Sequence, residues 1–390
     1  MNNSIYTLQF GLLCLSTFLF FSSFNMIIPE LPAFLENLGG GEYKGFIIGL
    51  FTVTAGLSRP FSGKLTDTIG RIPVMVFGAV VCVLCGFLYP LVLTVAGFLA
   101  LRLLHGFSTG FTPTGSSAYI SDVVPLNKRG EAMGFVGLCS SLGMACGPFI
   151  GSSLARVAPL EWVFWSSSAA ALLSIVILAG MKETLAEKQS FRLSLLKLNR
   201  HEILEPRVMP PSVVLLLTTY SLGTVLTLVP DLSDSLGIAN RGLYFLCFTL
   251  ASVSVRFFAG RFSDTIGRAP VLKAGALLYV AAMCLTGFAW RPEVFLFGGI
   301  IFGFAAGINS PTAFAWAIDL SQEGQRGRGL ATLYISLEVG IGLGALLSGW
   351  VYANKVENIS TAFATGAILA AAAWVYLHWL QRRHRVQSVQ

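Results

Sequence analysis

Twelve apolar stretches constrain the fold of this 390-residue chain more than any other feature. Each is about 20 residues long, the length that an α-helix needs to cross a bilayer. Only 12% of the residues are charged, and the mean hydropathy is +0.72. Backbone polar groups in a bilayer must be hydrogen-bonded internally, so we predict an all-α membrane protein with twelve transmembrane helices. The predicted spans are 6–28, 44–63, 72–91, 94–120, 131–154, 161–181, 211–230, 241–260, 270–289, 294–318, 328–352 and 360–380.

The basic residues predict the orientation of the chain. Eighteen of the 26 lysines and arginines lie at one set of span ends and five at the other, while Arg59, Arg102 and Arg256 lie within spans. Basic residues concentrate in cytoplasmic loops, so we expect both termini in the cytoplasm and the protein in the plasma (inner) membrane. The net charge of +7 then reflects membrane topology, and we expect no nucleic-acid partner.

An internal repeat divides the chain into two parallel halves. Residues 59–74 (RPFSGKLTDTIGRIPV) return as residues 256–271 (RFFAGRFSDTIGRAPV) with 10 of 16 positions identical, at an offset of 197. We predict two six-helix repeats joined by a polar linker that forms either a short surface helix over 191–204 or a solvated tether. The predicted domains are 1–181 (N-terminal half), 182–210 (cytoplasmic linker) and 211–390 (C-terminal half).

Three motifs in the first half carry a family resemblance. Residues 63–71 (GKLTDTIGR) fit G-x-L-x-D-x-x-G-R, residues 101–106 (LRLLHG) contain an arginine followed by His105 and glycine, and residues 143–151 (GMACGPFIG) fit G-x-x-x-G-P-x-x-G. These resemble the loop, fourth-span and fifth-span motifs of the major facilitator superfamily, except that His105 replaces a glutamine. The last motif resembles the signature of twelve-span drug/proton antiporters, and the resemblance covers essentially the whole chain.

The resemblance implies a cytoplasmic gate at the loop motif and at its repeat. It places Asp67 beside the start of the eleventh span, where the positive end of a helix favours a carboxylate. Helix-capping turns are the alternative interpretation. The predicted gate residues are Gly63, Asp67, Gly70, Arg71, Asp122, Arg129, Asp264, Arg268, Asp319 and Arg326.

The fifth-span motif predicts a close helix contact with a hinge. Gly143, Gly147 and Gly151 recur every four residues and therefore share one helical face, which lets a neighbouring helix approach closely. Pro148 kinks the span at the same level. Generic membrane packing explains the glycine spacing equally well, and only the register of Pro148 favours an antiporter hinge.

Ionisable side chains at bilayer depth are candidates for coupling to protons. Glu338 lies near the midplane of the eleventh span, and Arg102 and His105 lie in the outer part of the fourth. A carboxyl satisfied by a neighbour and a neutral packing histidine are the alternatives. The resemblance implies a substrate cavity lined by Asn25, Tyr220, Asn309 and Ser310, together with Glu338.

We therefore predict a secondary active transporter, a proton-coupled antiporter that exports small amphipathic or drug-like molecules by alternating access. A metabolite exporter or a nutrient symporter or uniporter of the same fold remains open, as does a membrane receptor or sensor. Many drug/proton antiporters of the type that the chain resembles have an acidic residue in the apolar part of the first span. This chain has Glu30 at the outer end instead, and that departure argues against export of many different cations. The expected partners are the substrate, protons and the lipid bilayer, and the expected state is a monomer.

We expect neither an enzyme, nor a metal site, nor a cofactor. Residues 106–110 (GFSTG) fit the nucleophile elbow G-x-S-x-G, but that elbow follows a strand, whereas this run lies within an apolar span. The seven cysteines all lie in apolar runs, where a thiol packs as a small hydrophobic group. Four histidines are too few for a histidine-rich metal site.

Overall fold

The computed structural model describes residues 7–124, 129–185, 187–196, 205–321 and 326–387, which are helical and contain no β-strand. Among these residues, twelve helices have 18 residues or more, and the short helix α2 follows the first of them. The bounds are α1 Leu8–Met26, α2 Leu31–Asn37, α3 Lys44–Thr68, α4 Arg71–Leu88, α5 Val95–Val123, α6 Arg129–Ala155, α7 Leu160–Ala179, α8 Met209–Ser235, α9 Leu243–Ile266, α10 Arg268–Gly287, α11 Pro292–Leu320, α12 Arg326–Tyr352 and α13 Ile359–Gln387. The predicted all-α fold is confirmed.

Within the described ranges, nine helical segments are both long and apolar enough to cross a bilayer. The three remaining long helices are α3, α5 and α9. They contain the three arginines that the sequence places within spans, Arg59, Arg102 and Arg256 respectively. Because an ionised side chain at bilayer depth is costly, these helices need polar surroundings supplied by the protein.

The helices form two compact units. The first contains residues 1–31 and 53–200, and the second contains residues 32–52 and 201–390. The division falls within α3, because the first nine residues of that helix belong to the second unit. The six-helix domain boundaries drawn from the sequence remain a prediction.

The predicted linker is described only in part. Its described residues include a 3₁₀ turn over Leu193–Leu196. Residue 186 and residues 197–204, which contain much of the predicted surface helix, lie outside the described residues.

In the first unit, α1 lies between α6 and α7. Two hydroxyl pairs join it to α7, with 2.8 Å between Ser16 Oγ and Ser174 Oγ and 3.2 Å between Ser23 Oγ and Ser167 Oγ. Hydrogen bonds between small hydroxyl side chains let two helices approach without bulky apolar groups between them. The α1–α7 contact therefore includes two polar pairs within the membrane-spanning part of the chain.

The contact between α1 and α6 is formed by glycines against backbone. A Cβ atom built on Gly143 would lie 2.6 Å from the carbonyl oxygen of Phe18, and one built on Gly147 would lie 2.6 Å from that of Ser22. Gly151 contacts Met26 in the same way one turn further along. We call this contact the α1–α6 seam. The predicted close approach at the fifth-span motif is present.

The second unit repeats this contact between α8 and α12. A Cβ atom on Gly340 would lie 2.5 Å from the carbonyl oxygen of Leu216, and Gly344 contacts the backbone of Tyr220. Around it, the largest described core cluster contains aromatic side chains from α9, α10, α11 and α13, including Tyr244, Phe302 and Phe363. The duplicated sequence thus produces the same helix pairing in both units.

Gly147→Ala should lower the free energy of unfolding by about 1–3 kcal/mol, because the added methyl group would overlap the backbone of α1. Gly137→Ala is the matched control on the same helix, since a Cβ there has nothing within 4 Å. That control should be neutral or raise stability by up to about 1 kcal/mol, as alanine favours the helix. Thermal unfolding of the purified variants measures both effects, and equal melting temperatures would contradict the seam assignment.

Candidate functional site

The loop motif forms a charge cluster in the first unit, centred on Arg71. The Arg71 guanidinium donates to Asp67 at 3.0 Å and to Asp122 at 2.9 Å. Gly70, just before it, has φ of 126°, a backbone conformation that a side chain disfavours. Asp67 is 73% exposed, whereas Arg71 is 12% exposed, so the arginine is the buried centre of the cluster.

A residue that the sequence did not single out completes this cluster. The Glu183 carboxylate accepts hydrogen bonds from the backbone N–H groups of Arg71 at 3.1 Å and Ile72 at 3.0 Å, so it caps the N-terminus of α4. Partial burial acts to raise the pKa of Glu183, but backbone N–H donors, including Leu185 and Thr184, outweigh it and lower that pKa. Glu183 lies 112 residues from Arg71, so no local pattern predicts the contact.

The repeated motif forms a second cluster in the second unit. Arg268 donates to Asp319 at 2.9 Å and pairs with Asp264, and Gly267 before it has φ of 99°. The predicted partners Arg129 and Arg326 begin α6 and α12, but their side chains lie outside the described residues. A Cβ on Gly63 would meet nothing within 4 Å. The gate role of all these residues remains a prediction.

Arg102 and His105 of α5 meet around one buried tyrosine. Arg102 Nη1 donates to Tyr89 Oη at 3.1 Å, and His105 Nδ1 lies 3.3 Å from the same oxygen. All three side chains are at most 1% exposed, and the Tyr89 ring stacks on Phe164 with 5.1 Å between centroids. The structure therefore brings together the two predicted fourth-span residues and adds a phenol that links them.

The predicted cavity residues lie in different settings. In the first unit, Asn25 is buried and donates to the carbonyl oxygen of Phe21 in its own helix at 2.8 Å.

In the second unit, Tyr220 Oη lies 3.0 Å from Thr365 Oγ1, and Asn309 donates to Thr218 Oγ1 at 2.7 Å. The side-chain oxygen of Asn309 is buried without a hydrogen-bond partner in the described structure, which leaves an acceptor for another group. Ser310 is partly buried, and Glu338 is 8% exposed.

The second unit also contains a buried lysine that the sequence analysis treated only as a loop charge. Lys44 is 3% exposed, and its ammonium group lies 2.7 Å from Asp231 and 2.8 Å from Glu36. It also lies over the ring of Tyr352, 5.7 Å from the centroid, and Tyr352 hydrogen-bonds Asp231. We call these residues the Lys44 cluster. Asp231 follows Pro230 as Glu30 follows Pro29, so the two acidic residues are equivalent in the two repeats.

The equivalent acidic residue of the first unit is also buried. Glu30 is 6% exposed and accepts a hydrogen bond at 2.7 Å from Ser152 of α6, next to the last glycine of the seam. The two repeats thus hold their equivalent carboxylates differently, one with a hydroxyl group and the other with a lysine.

Two units with equivalent helix pairing and equivalent charge clusters define a multi-pass membrane protein built by duplication. A sequence model of the Major Facilitator Superfamily matches residues 13–239 and 211–390. The chain belongs to this superfamily of membrane transporters.

The relatives include bacterial export proteins. The chain is 27% identical over 186 residues to multidrug resistance protein 2 of Bacillus subtilis (strain 168), and this alignment covers 47% of this chain and 46% of that protein. It is 27% identical over 307 residues to the multi-drug resistance efflux pump PmrA of Streptococcus pneumoniae serotype 4 (strain ATCC BAA-334 / TIGR4), covering 75% and 76%. The crystal structure of the human organic anion transporter MFSD10 superposes with a TM-score of 0.72, at 21% identity, over 94% of this chain and 98% of that chain.

Lys44→Met should lower the free energy of unfolding by about 3–5 kcal/mol, because Asp231 would keep a buried charge without its cation. Lys355→Met, at an exposed lysine, should stay within about 0.5 kcal/mol of the parent. The double variant Lys44→Met/Asp231→Asn should regain part of the loss, since it leaves no buried charge at position 231. If the double variant is no more stable than Lys44→Met in thermal unfolding, the loss of stability does not come from the uncompensated charge of Asp231.

Glu183→Gln should destabilise the protein at pH 7 and lose this effect in acid. The folded-state pKa of Glu183 is lowered from an ordinary value of about 4.3, so its stabilisation is complete above that pH and disappears as pH falls through the folded-state pKa. Melting temperatures of parent and variant between pH 7 and pH 3 measure the difference, which should narrow below about pH 4.3. Glu187→Gln, at an exposed position, is the control and should melt like the parent throughout.

Proposed function

We propose that this transporter exports small amphipathic or drug-like organic molecules in exchange for protons, by alternating access. The observation that carries the proposal is the α1–α6 seam, in which the glycines of the antiporter-like motif contact α1 and Pro148 lies inside the α6 helix. The names of the Bacillus and Streptococcus relatives, which are multidrug resistance and efflux proteins, support the direction of transport.

The two arginine-centred charge clusters act as cytoplasmic gates in this proposal. Asp67 is the exposed carboxylate of the first cluster, which makes it accessible to a positively charged group. Arg71 and Arg268 hold their carboxylates in the same arrangement in both units, so the two halves contribute equivalent surfaces to the gate. The protein lies in the plasma (inner) membrane with both termini in the cytoplasm and works as a monomer without a nucleic-acid partner.

Glu338 is the proposed proton-coupling residue. It is a carboxyl buried within a spanning helix, where a charged side chain has a high free-energy cost. Binding a proton removes that charge, so it lowers the cost of the conformational change. His105 with Arg102 is the second candidate for this role. Glu30 and Asp231 rank lower, because Ser152 hydrogen-bonds Glu30 and Lys44 pairs with Asp231.

The proposed substrate cavity includes Asn25, Tyr220, Asn309, Ser310 and Glu338. Asn309 supplies a buried acceptor oxygen, and Tyr220 supplies an aromatic ring with a polar end, which together suit an amphipathic molecule. Thermal-shift measurements with cationic, neutral and anionic drugs, sugars, amino acids and metabolites identify the substrate class.

The alternatives are a metabolite exporter, a nutrient symporter or uniporter, and a receptor that binds without flux. Counterflow of a bound compound in proteoliposomes separates transport from sensing, and accumulation against its gradient separates export from uniport. We infer that the protein is not an enzyme, because residues 106–110 lie inside the continuous helix α5 rather than in a strand-to-helix turn.

Glu338→Gln should abolish accumulation driven by a pH gradient in proteoliposomes while leaving ligand binding and substrate-for-substrate exchange in place. The amide keeps the shape of the protonated carboxyl but cannot release a proton. Glu357→Gln, at an exposed position between α12 and α13, is the matched control and should transport like the parent. Retention of gradient-driven accumulation by Glu338→Gln would move the coupling site to His105 and Arg102.

A further inference from the structure

Two cysteine thiols face each other across the α1–α6 seam. Cys14 of α1 and Cys139 of α6 are joined by a side-chain hydrogen bond, and both side chains are partly buried. The predicted role of these cysteines is apolar packing, and nothing in the transport cycle proposed above uses them. Their pairing is a separate feature of the first unit.

The register of the seam fixes this pairing. Phe10 packs on Phe135 with 6.5 Å between ring centroids, Phe18 contacts Gly143, and Ser22 contacts Gly147. Each pair is separated by 125 positions, and successive contacts are multiples of four residues apart, as expected for one face of two parallel helices. In the same register, Cys14 of α1 falls midway between Phe10 and Phe18, and the residue 125 positions later is Cys139 of α6. Both neighbouring contacts therefore hold the two thiols opposite each other.

The α1 and α6 backbones are in contact next to this level, which favours a covalent link. One turn away, a Cβ on Gly143 would already overlap the backbone of α1. A disulfide requires Cβ atoms about 3.5–4.5 Å apart, which is a separation that only closely packed helices provide. Cys14 lies six residues after the start of α1, about 9 Å along the helix, so a small uncharged reagent has a short path to it.

The second unit does not repeat the thiol pair. Its contacts between Leu216 and Gly340 and between Tyr220 and Gly344 set a separation of 124 positions. One turn earlier, this register places Ser212 opposite Ser336, and hydroxyl groups cannot form the link. The duplicated seam thus carries an oxidisable pair in one unit only.

We propose that Cys14 and Cys139 are a redox-modification site, at which a peroxide converts the thiols into a disulfide that locks α1 to α6. One thiol attacks a peroxide oxygen, the O–O bond breaks, and a sulfenic acid and one water form. The second thiol attacks the sulfenic sulfur, the S–S bond forms, and a second water leaves. The two thiols together lose two electrons and two protons, and hydrogen peroxide is reduced to two waters.

The disulfide acts as a latch on transport. A glycine seam has few interlocking side chains, so α6 can slide along α1 and bend at Pro148. A covalent bond one turn from Gly143 removes that freedom. Oxidised protein should therefore lose flux, and a thiol reductant should restore it. This consequence rests on the proposed transport function, whereas the formation of the disulfide does not.

Peptide mapping by mass spectrometry tests the site in the full-length protein, purified in detergent and treated with hydrogen peroxide. The expected product is a Cys14–Cys139 disulfide that dithiothreitol reverses and that raises the melting temperature of the parent. Cys14→Ser and Cys139→Ser should each abolish the product and the rise in melting temperature. The fully buried pair Cys82 and Cys85 is the internal control and should stay reduced. Absence of the disulfide, or pairing of Cys14 with another cysteine, would overturn the proposal.

Flux through proteoliposomes tests the latch with the substrate that the ligand panel identifies. Loss of flux after peroxide, recovery with dithiothreitol, and resistance of both serine variants support it. Unchanged flux in protein whose disulfide is fully formed would overturn the latch. Failure to find any transported substrate would count against the proposed function alone, because the mapping result is obtained without one.

Discussion

Direct contact between helix backbones holds each unit together. Lipid chains are as apolar as leucine, so the hydrophobic effect does little to join helices inside a bilayer, and close packing replaces it. Glycines at four-residue spacing give α1–α6 and α8–α12 this contact in the two units. In the first unit, the buried hydrogen bond between Ser152 and Glu30 lies next to the end of the seam and depends on the same approach. The position of this buried hydrogen bond is therefore tied to the glycine seam.

Buried charged side chains in this fold also need neighbours of opposite charge. Lys44 is almost fully buried, and two carboxylates and the face of Tyr352 surround its ammonium group. Such a cluster is a weak source of net stability, because desolvation offsets the attraction, but removing one member leaves a costly charge. It therefore favours one packing of residues 32–52 against the rest of the second unit over other packings. The arginine-centred clusters are more exposed, and solvent screens them, which is consistent with the proposed gate role.

The sequence predicted those features that depend on local pattern. The twelve long helices of the described residues correspond to the twelve predicted stretches, the related units follow from the repeat, and the seam follows from glycine spacing. The positions of the glycine before Arg71 and of its equivalent before Arg268 also follow from the motif. Both have positive φ, a backbone conformation that glycine tolerates. Contacts between residues far apart in the chain could not be predicted from the sequence. Lys44 pairs with a residue 187 positions away, and nothing in either local sequence indicates that the lysine is buried.

The cap on α4 has a consequence for how the protein is made. Helices enter the membrane in order as the chain is synthesised, and α4 is complete long before residue 183 leaves the ribosome. Until then the N–H groups of Arg71 and Ile72 lack the Glu183 carboxylate that accepts from them in the finished structure. Glu183 follows α7 in the chain, so α4 gains this cap only after α7 has been synthesised. A chain truncated after α7 would therefore contain all of α4 without the carboxylate that caps its first N–H groups.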